Sequence, residues 1–363
     1  MKPSLKITGV IGVVILLVGA VGLLKLRFSQ SPEPMVPQPS SESRETRATV
    51  QSVTEVATPK GARAEAPAGR RERHLSLAVN GDQSTNGATQ QGQSSAALPQ
   101  DPMLLVRSHT TPLNKRIVAV HRLGTALSQD EVSPLYAYLR TPSSLAGQDL
   151  EREDWLRNEI MDKLVAQRSV PEGLANLLEA IYQDHTQDIV MRDYALQHMV
   201  PVYERVSAVQ QALLRGALWQ ATDETDSSVA GTALLGLLSI GQADSLVDGE
   251  RLANTALKLA ADDRCGELTR ITAVQVCGRM GVRQSLPVVE QLTQQSPSIS
   301  LRIAATAALG DYAINVGKGE SAEAANLLKR IAESSDPRQG LAAESALRRI
   351  TRASSTLAQR RGQ

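Results

Sequence analysis

From Leu113 onward, apolar and polar residues alternate along the chain with a helical period, and the pattern recurs about every 32–41 residues. Each unit opens on an arginine or a substitute for it. Alanine follows three residues later, and a larger apolar residue four further on. Arg116-Ile117-Val118-Ala119 leads to Leu123, Arg192-Asp193-Tyr194-Ala195 to Met199, Arg270-Ile271-Thr272-Ala273 to Cys277, and Arg302-Ile303-Ala304-Ala305 to Leu309. In the second unit Arg157 leads through Ile160 to Leu164; in the fourth, Ala230 stands where the arginine falls elsewhere and leads to Leu237. A last start, Ala343 to Ile350, completes about seven first helices. Small residues at the middle of such a helix let a neighbour approach closely, and the apolar stripe beside them packs against it.

A second helix follows each of the first six. Pro134, Pro171 and Pro287 are expected in the first turns of three of them, where a missing amide N–H wastes no hydrogen bond. The others read as Val206–Gln220, Glu250–Ala261 and Ala322–Ser334. Ser128 and Glu131 have capping-box spacing, and Gly124, Gly241, Gly281 and Gly317 punctuate the pattern. One helix pair cannot bury both its faces, so the pairs must stack. The recurrent arginine is expected to cover the seam with its stem and to cap carbonyls or acids nearby. Asp154 with Arg157 and Asp188 with Arg192 have the spacing of helix-surface ion pairs.

Upstream the pattern changes twice. Ile7 to Leu24 is an uncharged apolar run of 18 residues, about 27 Å as a helix. Lys2 and Lys6 precede it, and Lys25 and Arg27 close it. It reads as an uncleaved membrane anchor, with a cleaved signal peptide ending near Ala20 as the alternative. The charge balance favours a cytoplasmic N-terminus, so either reading places the repeats outside the inner membrane, in a periplasm if the source is bacterial. Residues 28–110, rich in Ser, Pro, Gln and Gly, show no sustained period and are expected to form a disordered linker. A flexible coil of that length spans roughly 50 Å. The expected domains are therefore 1–27, anchor; 28–110, linker; 111–352, repeats; and 353–363, a basic disordered tail.

Composition fits an all-α chain. Hydrophobic residues make up 42% of it but aromatic residues only 2%, which suits a core of Ala, Leu, Ile and Val better than a sandwich or barrel. The net charge of +1 hides an imbalance: residues beyond 110 carry 27 basic and 30 acidic side chains. No large basic surface is implied, which argues against nucleic acid as a partner. Arg338 to Gln363 reverses the sign, with six arginines and one acid. This end reads as a solubilising cap, with docking to an acidic partner or headgroups as the sharper alternative.

Candidate chemistry is sparse. The sequence holds no nucleophile elbow, His-Glu-x-x-His, P-loop or dinucleotide fingerprint. Asp184, His185, Asp188 and His198 are the best metal-like grouping, but a solvated turn explains them more simply. Glu151, Glu153 and Asp154, like Asp223, Glu224 and Asp226, read as acids of loops and helix starts. Cys265 and Cys277 read as small buried hydrophobes; a disulfide would require Cys265 to lie in a loop that folds back. Neither cofactor nor metal is expected, and the chain reads as no enzyme.

The Arg-x-x-Ala units with their second helices resemble HEAT-like repeats over residues 111–352, particularly the short bacterial kind seen in phycobilisome-lyase-type repeat proteins. The resemblance implies an α-solenoid of six to seven helix pairs whose second helices line a concave, protein-binding face. Function is then expected to be that of a membrane-tethered scaffold for a protein or peptide partner. A purely structural envelope component, or less readily a lyase-type enzyme by analogy, are the alternatives. Helical spacing picks Tyr182, Arg215, Trp219, Lys258 and Arg330 as outward, partner-binding residues, with Glu179 and Gln294 beside them. Trp219 lies four residues after Arg215 and so shares its helix face; a large core side chain is the competing reading for it.

Overall fold

The structure, a computed structural model, describes residues 101–361 apart from 109 and 334–335. The apolar run 7–24 and the linker up to residue 100 lie outside the described residues. Among those described, secondary structure consists of fourteen α-helices and one short 3-10 turn. The first helices are α2 (Leu113–Arg122), α4 (Gln148–Val165), α6 (Ile189–Tyr203), α8 (Val229–Ile240), α10 (Glu267–Met280), α12 (Ile299–Asn315) and α14 (Pro337–Arg361). The second helices are α3 (Gln129–Arg140), α5 (Leu174–Gln183), α7 (Ala208–Ala221), α9 (Gly249–Ala261), α11 (Leu286–Gln295) and α13 (Lys318–Ala332). Each first helix packs beside the next, from α2 to α14, in one layer. In the other layer α3 packs on α5 and α5 on α7, while α9, α11 and α13 rest mainly on first helices. The stacked pairs form an α-solenoid.

A short helix, α1 (Pro102–Arg107), precedes the first pair and packs on α2. It lies inside the stretch expected to be linker. Asp101 accepts the Met103 amide N–H at 2.9 Å, Pro102 occupies the first turn, and Val106 is fully buried. At the other end α14 is continuous to Arg361, so residues 353–361 are helix where a disordered tail was expected.

The stripes meet as the spacing requires. Ala119, Leu156, Ile160, Ala195, Ala233, Ala273, Ala305 and Ala346 are all buried in the seams between first helices. The closest approaches are made by glycine. A Cβ on Gly278 would fall inside the van der Waals radius of the Ala308 carbonyl oxygen, and one on Gly310 would lie 2.7 Å from the Ala346 Cβ. Gly281, at φ 64°, ends α10 in the left-handed conformation.

Two of the three prolines sit elsewhere than expected. The capping box of Ser128 and Glu131 starts α3 at Gln129, which leaves Pro134 inside the helix. Gly173, with φ 76°, starts α5 at Leu174, which leaves Pro171 in the preceding turn. Of these three, Pro287 alone occupies a first turn, that of α11.

Candidate interaction surface

The recurrent arginines look inward. Arg116, Arg157 and Arg192 are buried. Arg116 Nε donates to the Val106 carbonyl at 2.9 Å, Arg192 Nε to that of Tyr182 at 2.7 Å, and Arg270 Nε to that of Ala260 at 3.4 Å. Arg157 and Arg302 reach the Thr141 and Ser296 carbonyls at 2.7 and 2.6 Å. In each case the guanidinium caps the C-terminal end of the preceding helix, where unpaired carbonyls and the helix dipole favour a cation. The free edge then reaches an acid one repeat away: Arg116 meets Glu153 at 3.2 Å, Arg192 meets Glu224 at 2.6 Å and Arg302 meets Asp336 at 3.5 Å. These arginines are joints between repeats. Asp188 caps α6 through the Val190 amide instead of pairing with Arg192, and Arg157 approaches Glu153, at 3.9 Å, in place of Asp154.

This inward set claims one of the residues picked for partner binding. Tyr182 is only 1% exposed, and the Arg192 guanidinium lies over its ring at 5.3 Å from the centroid. Helical spacing cannot tell an aromatic facing a buried arginine from one facing solvent. Tyr138 on α3 has the corresponding role in the preceding pair, between Arg116 and Arg157.

The remaining four lie on second helices with different degrees of freedom. Arg215 on α7 is half-buried and tied down: its Nη1 donates to the Tyr203 hydroxyl at 2.6 Å and to Asp244 at 3.0 Å. Tyr203 also donates to Asp244, and these bonds, with the Leu246 amide, hold that carboxyl below its ordinary range. Trp219, one turn further, is half-buried: it packs against the core, and the Arg251 guanidinium of α9 stacks 4.0 Å from its ring centroid. Arg251 escaped the sequence reading because its partner lies on the next second helix, 32 positions away. Lys258 is exposed on α9 and lines a shallow open depression with Arg251, Asn254 and Asp248. Arg330 is exposed on α13, 3.8 Å from Glu290 of α11, which also accepts from Gln294 at 3.4 Å. Glu179 is half-buried on α5. Trp219, Arg251 and Lys258 thus form one connected surface across α7 and α9, whereas Arg330 stands apart on α13.

The metal-like grouping separates. Asp184 accepts from the hydroxyl and amide of Thr186, Asp188 caps its helix, and His198 bonds Asn158 at 2.9 Å. Burial pushes the His198 imidazole down to about 4, which keeps it neutral. Among the described residues no three His, Cys, Asp or Glu side chains converge as metal ligands would. Cys265 and Cys277 are free and buried, and burial pushes the Cys277 thiol up to about 12. The acids at the start of α4 differ from expectation: Glu151 is exposed, but Glu153 and Asp154 are 5% and 3% exposed.

Residues 253–348, from within α9 to within α14, match the family model of HEAT repeats. No curated protein matches the chain. Among solved structures, the crystal structure of an engineered protein, a structural genomics target, is similar at 16% identity; the match covers 70% of this chain and 97% of that one, with a TM-score of 0.37. The family match thus assigns HEAT repeats to residues 253–348, and the helix pairs before them stack in the same two-layered way.

Proposed function

We propose that this chain is a non-enzymatic scaffold, tethered to the inner membrane by residues 7–24, that holds a protein or peptide partner against its second helices on the outer side of that membrane. The observation that carries the reading is the surface of Trp219, Arg251 and Lys258. An aromatic ring with a cation on its face, beside an open depression, offers flat apolar area and directed charge together, the chemistry enriched where binding energy concentrates. The match to HEAT repeats supports an interaction role, and the uncharged run between basic residues supports the tether.

The test is capture of partners by the full-length chain from detergent-solubilised membranes, compared with an Arg251→Glu, Lys258→Glu variant. Both side chains are exposed, so melting should hold to within about 0.5 kcal/mol while capture falls. Undiminished capture would remove this surface from the proposal. Retention of the chain in membranes after carbonate and high-salt washing tests the tether separately; release with a new N-terminus at Val21 would establish cleavage.

A further inference from the structure

A second feature, independent of that surface, lies at the edge of the stack between the α3–α4 loop and the α5–α6 turn. Here a polar pocket of about 270 Å³ is lined by Ser143, Asp154, Arg157, Thr186, Gln187 and Asp188. The charges in and behind it do not balance. Glu153 is matched by Arg116 at 3.2 Å and by the Tyr138 hydroxyl. Arg157 donates to Gln187 at 3.3 Å and to the Thr141 carbonyl at 2.7 Å, while its Nε lies 3.9 Å from Glu153 with no hydrogen-bond acceptor among the described residues. Asp188 gives one oxygen to its helix cap. That leaves Asp154. The residue is only 3% exposed, yet among the described residues no hydrogen bond or ion pair reaches its carboxylate. With all groups ionised, the carboxylates of Glu153, Asp154 and Asp188 face the guanidinium groups of Arg116 and Arg157, a net charge of one negative; Arg157 attracts Asp154 but is shared with Glu153.

A carboxylate largely withdrawn from water, with no protein donor and its oxygens open to the pocket, is a cost to the fold, and a ligand in that pocket can offset it. We propose that this pocket binds a monovalent organic cation with N–H donors, an alkylammonium or alkylguanidinium group, which Asp154 and Asp188 accept together. One positive charge restores balance. A divalent metal would overshoot it and needs about six or more oxygen ligands, which two carboxylates and two hydroxyls do not supply. Ser143 and Thr186 at the rim can accept from remaining N–H groups, and the half-open mouth admits a chain end. The groups facing Asp154 are Glu153 and Arg157 on its own helix, Asp188 at the start of α6 and Tyr194 within α6. Burial first, then the charge of Asp188, raises the Asp154 carboxyl to about 7, so binding of the cation must release its proton.

Butylammonium and butylguanidinium, titrated calorimetrically into the full-length chain, are the probes, with tetramethylammonium and calcium as controls. The two N–H donors should bind, with affinity rising about tenfold from pH 6 to pH 8 as Asp154 ionises, and with proton release at pH 6. Asp154→Asn should abolish binding and its pH dependence; Asp188→Asn, which keeps the helix cap, should weaken it several-fold. A short peptide with one lysine or arginine, compared with the free amines, distinguishes a protein side chain from a small metabolite as the source; binding of either supports the pocket. An equal response to tetramethylammonium, tighter binding of calcium, or unchanged binding by Asp154→Asn would each overturn the proposal. Melting temperatures of both variants establish that they are folded.

Discussion

Arg116 and Asp154 are both buried charges, but only the first is matched. Arg116 caps α1, pairs with buried Glu153 and donates to Tyr138. Replacing it with alanine strands a carboxylate and a helix end at once, so Arg116→Ala should cost about 3–5 kcal/mol in urea unfolding. Arg116→Lys, with one point of charge in place of a fork, should recover only some of that. Asp154 predicts the opposite sign. Its folded carboxyl titrates at about 7, against ~3.9 when unfolded, so the native state keeps the proton longer. The contribution of this one group to stability is then greatest below about pH 4, falls as pH rises through about 4 to 7, and stays level above. Without added ligand, Asp154→Asn should therefore unfold later than the natural chain at pH 8, by roughly 1–2 kcal/mol once solvent reaching the pocket is discounted, with the gap closing at pH 4. A gap that does not depend on pH would show that the carboxyl titrates normally. The arginine's role was legible because its spacing recurs; the environment of Asp154 was not, because an acid near a helix start reads as solvated unless the loop that covers it is known.

At the scale of the element, the motif positions of the first helices were legible, since the Ala and Leu stripe is dictated by what a neighbouring helix will tolerate. The second helices shifted by up to four residues: the Ser128 cap starts α3 ahead of Pro134, and α13 starts at Lys318 where Ala322 was expected. Helix α1 was missed because six residues are too few to show a period, and its stability comes from α2 and not from its own sequence. The tightest packing rule sits at Gly278 in α10. In an exposed helix, glycine to alanine would gain up to about 1 kcal/mol of propensity. Here the new methyl meets the Ala308 backbone, which cannot rotate aside, so α10 and α12 must separate. Gly278→Ala should lose about 1–3 kcal/mol in thermal or urea unfolding. The same change at Gly249, where a Cβ meets nothing within 4 Å, should be neutral or mildly stabilising and serves as the control.

For the whole molecule, the repeat count and layer order followed from the sequence because each pair carries the same unsatisfied face. What binds to the stack did not, because recognition residues obey no period: Trp219 and Arg251 come from different repeats, and the pocket at Asp154 draws on two turns and a helix. Stacking also sets how the fold should fail. Helix α14 packs on α12 and α13. Gln339 donates to the Thr293 carbonyl at 2.8 Å, Arg349 donates to the Ala307 carbonyl in the middle of α12 at 3.1 Å, and Ala343 and Ala346 are buried. Ending the chain after Glu333 removes all of these together and uncovers the apolar flank of α12. If stability is a sum over neighbouring repeats, the damage stays local. Amide hydrogen exchange should quicken by orders of magnitude across α11, α12 and α13, while α2 to α6 keep their protection. Uniform loss of protection from α2 onward would mean instead that the array folds as one cooperative block, with α14 holding all of it.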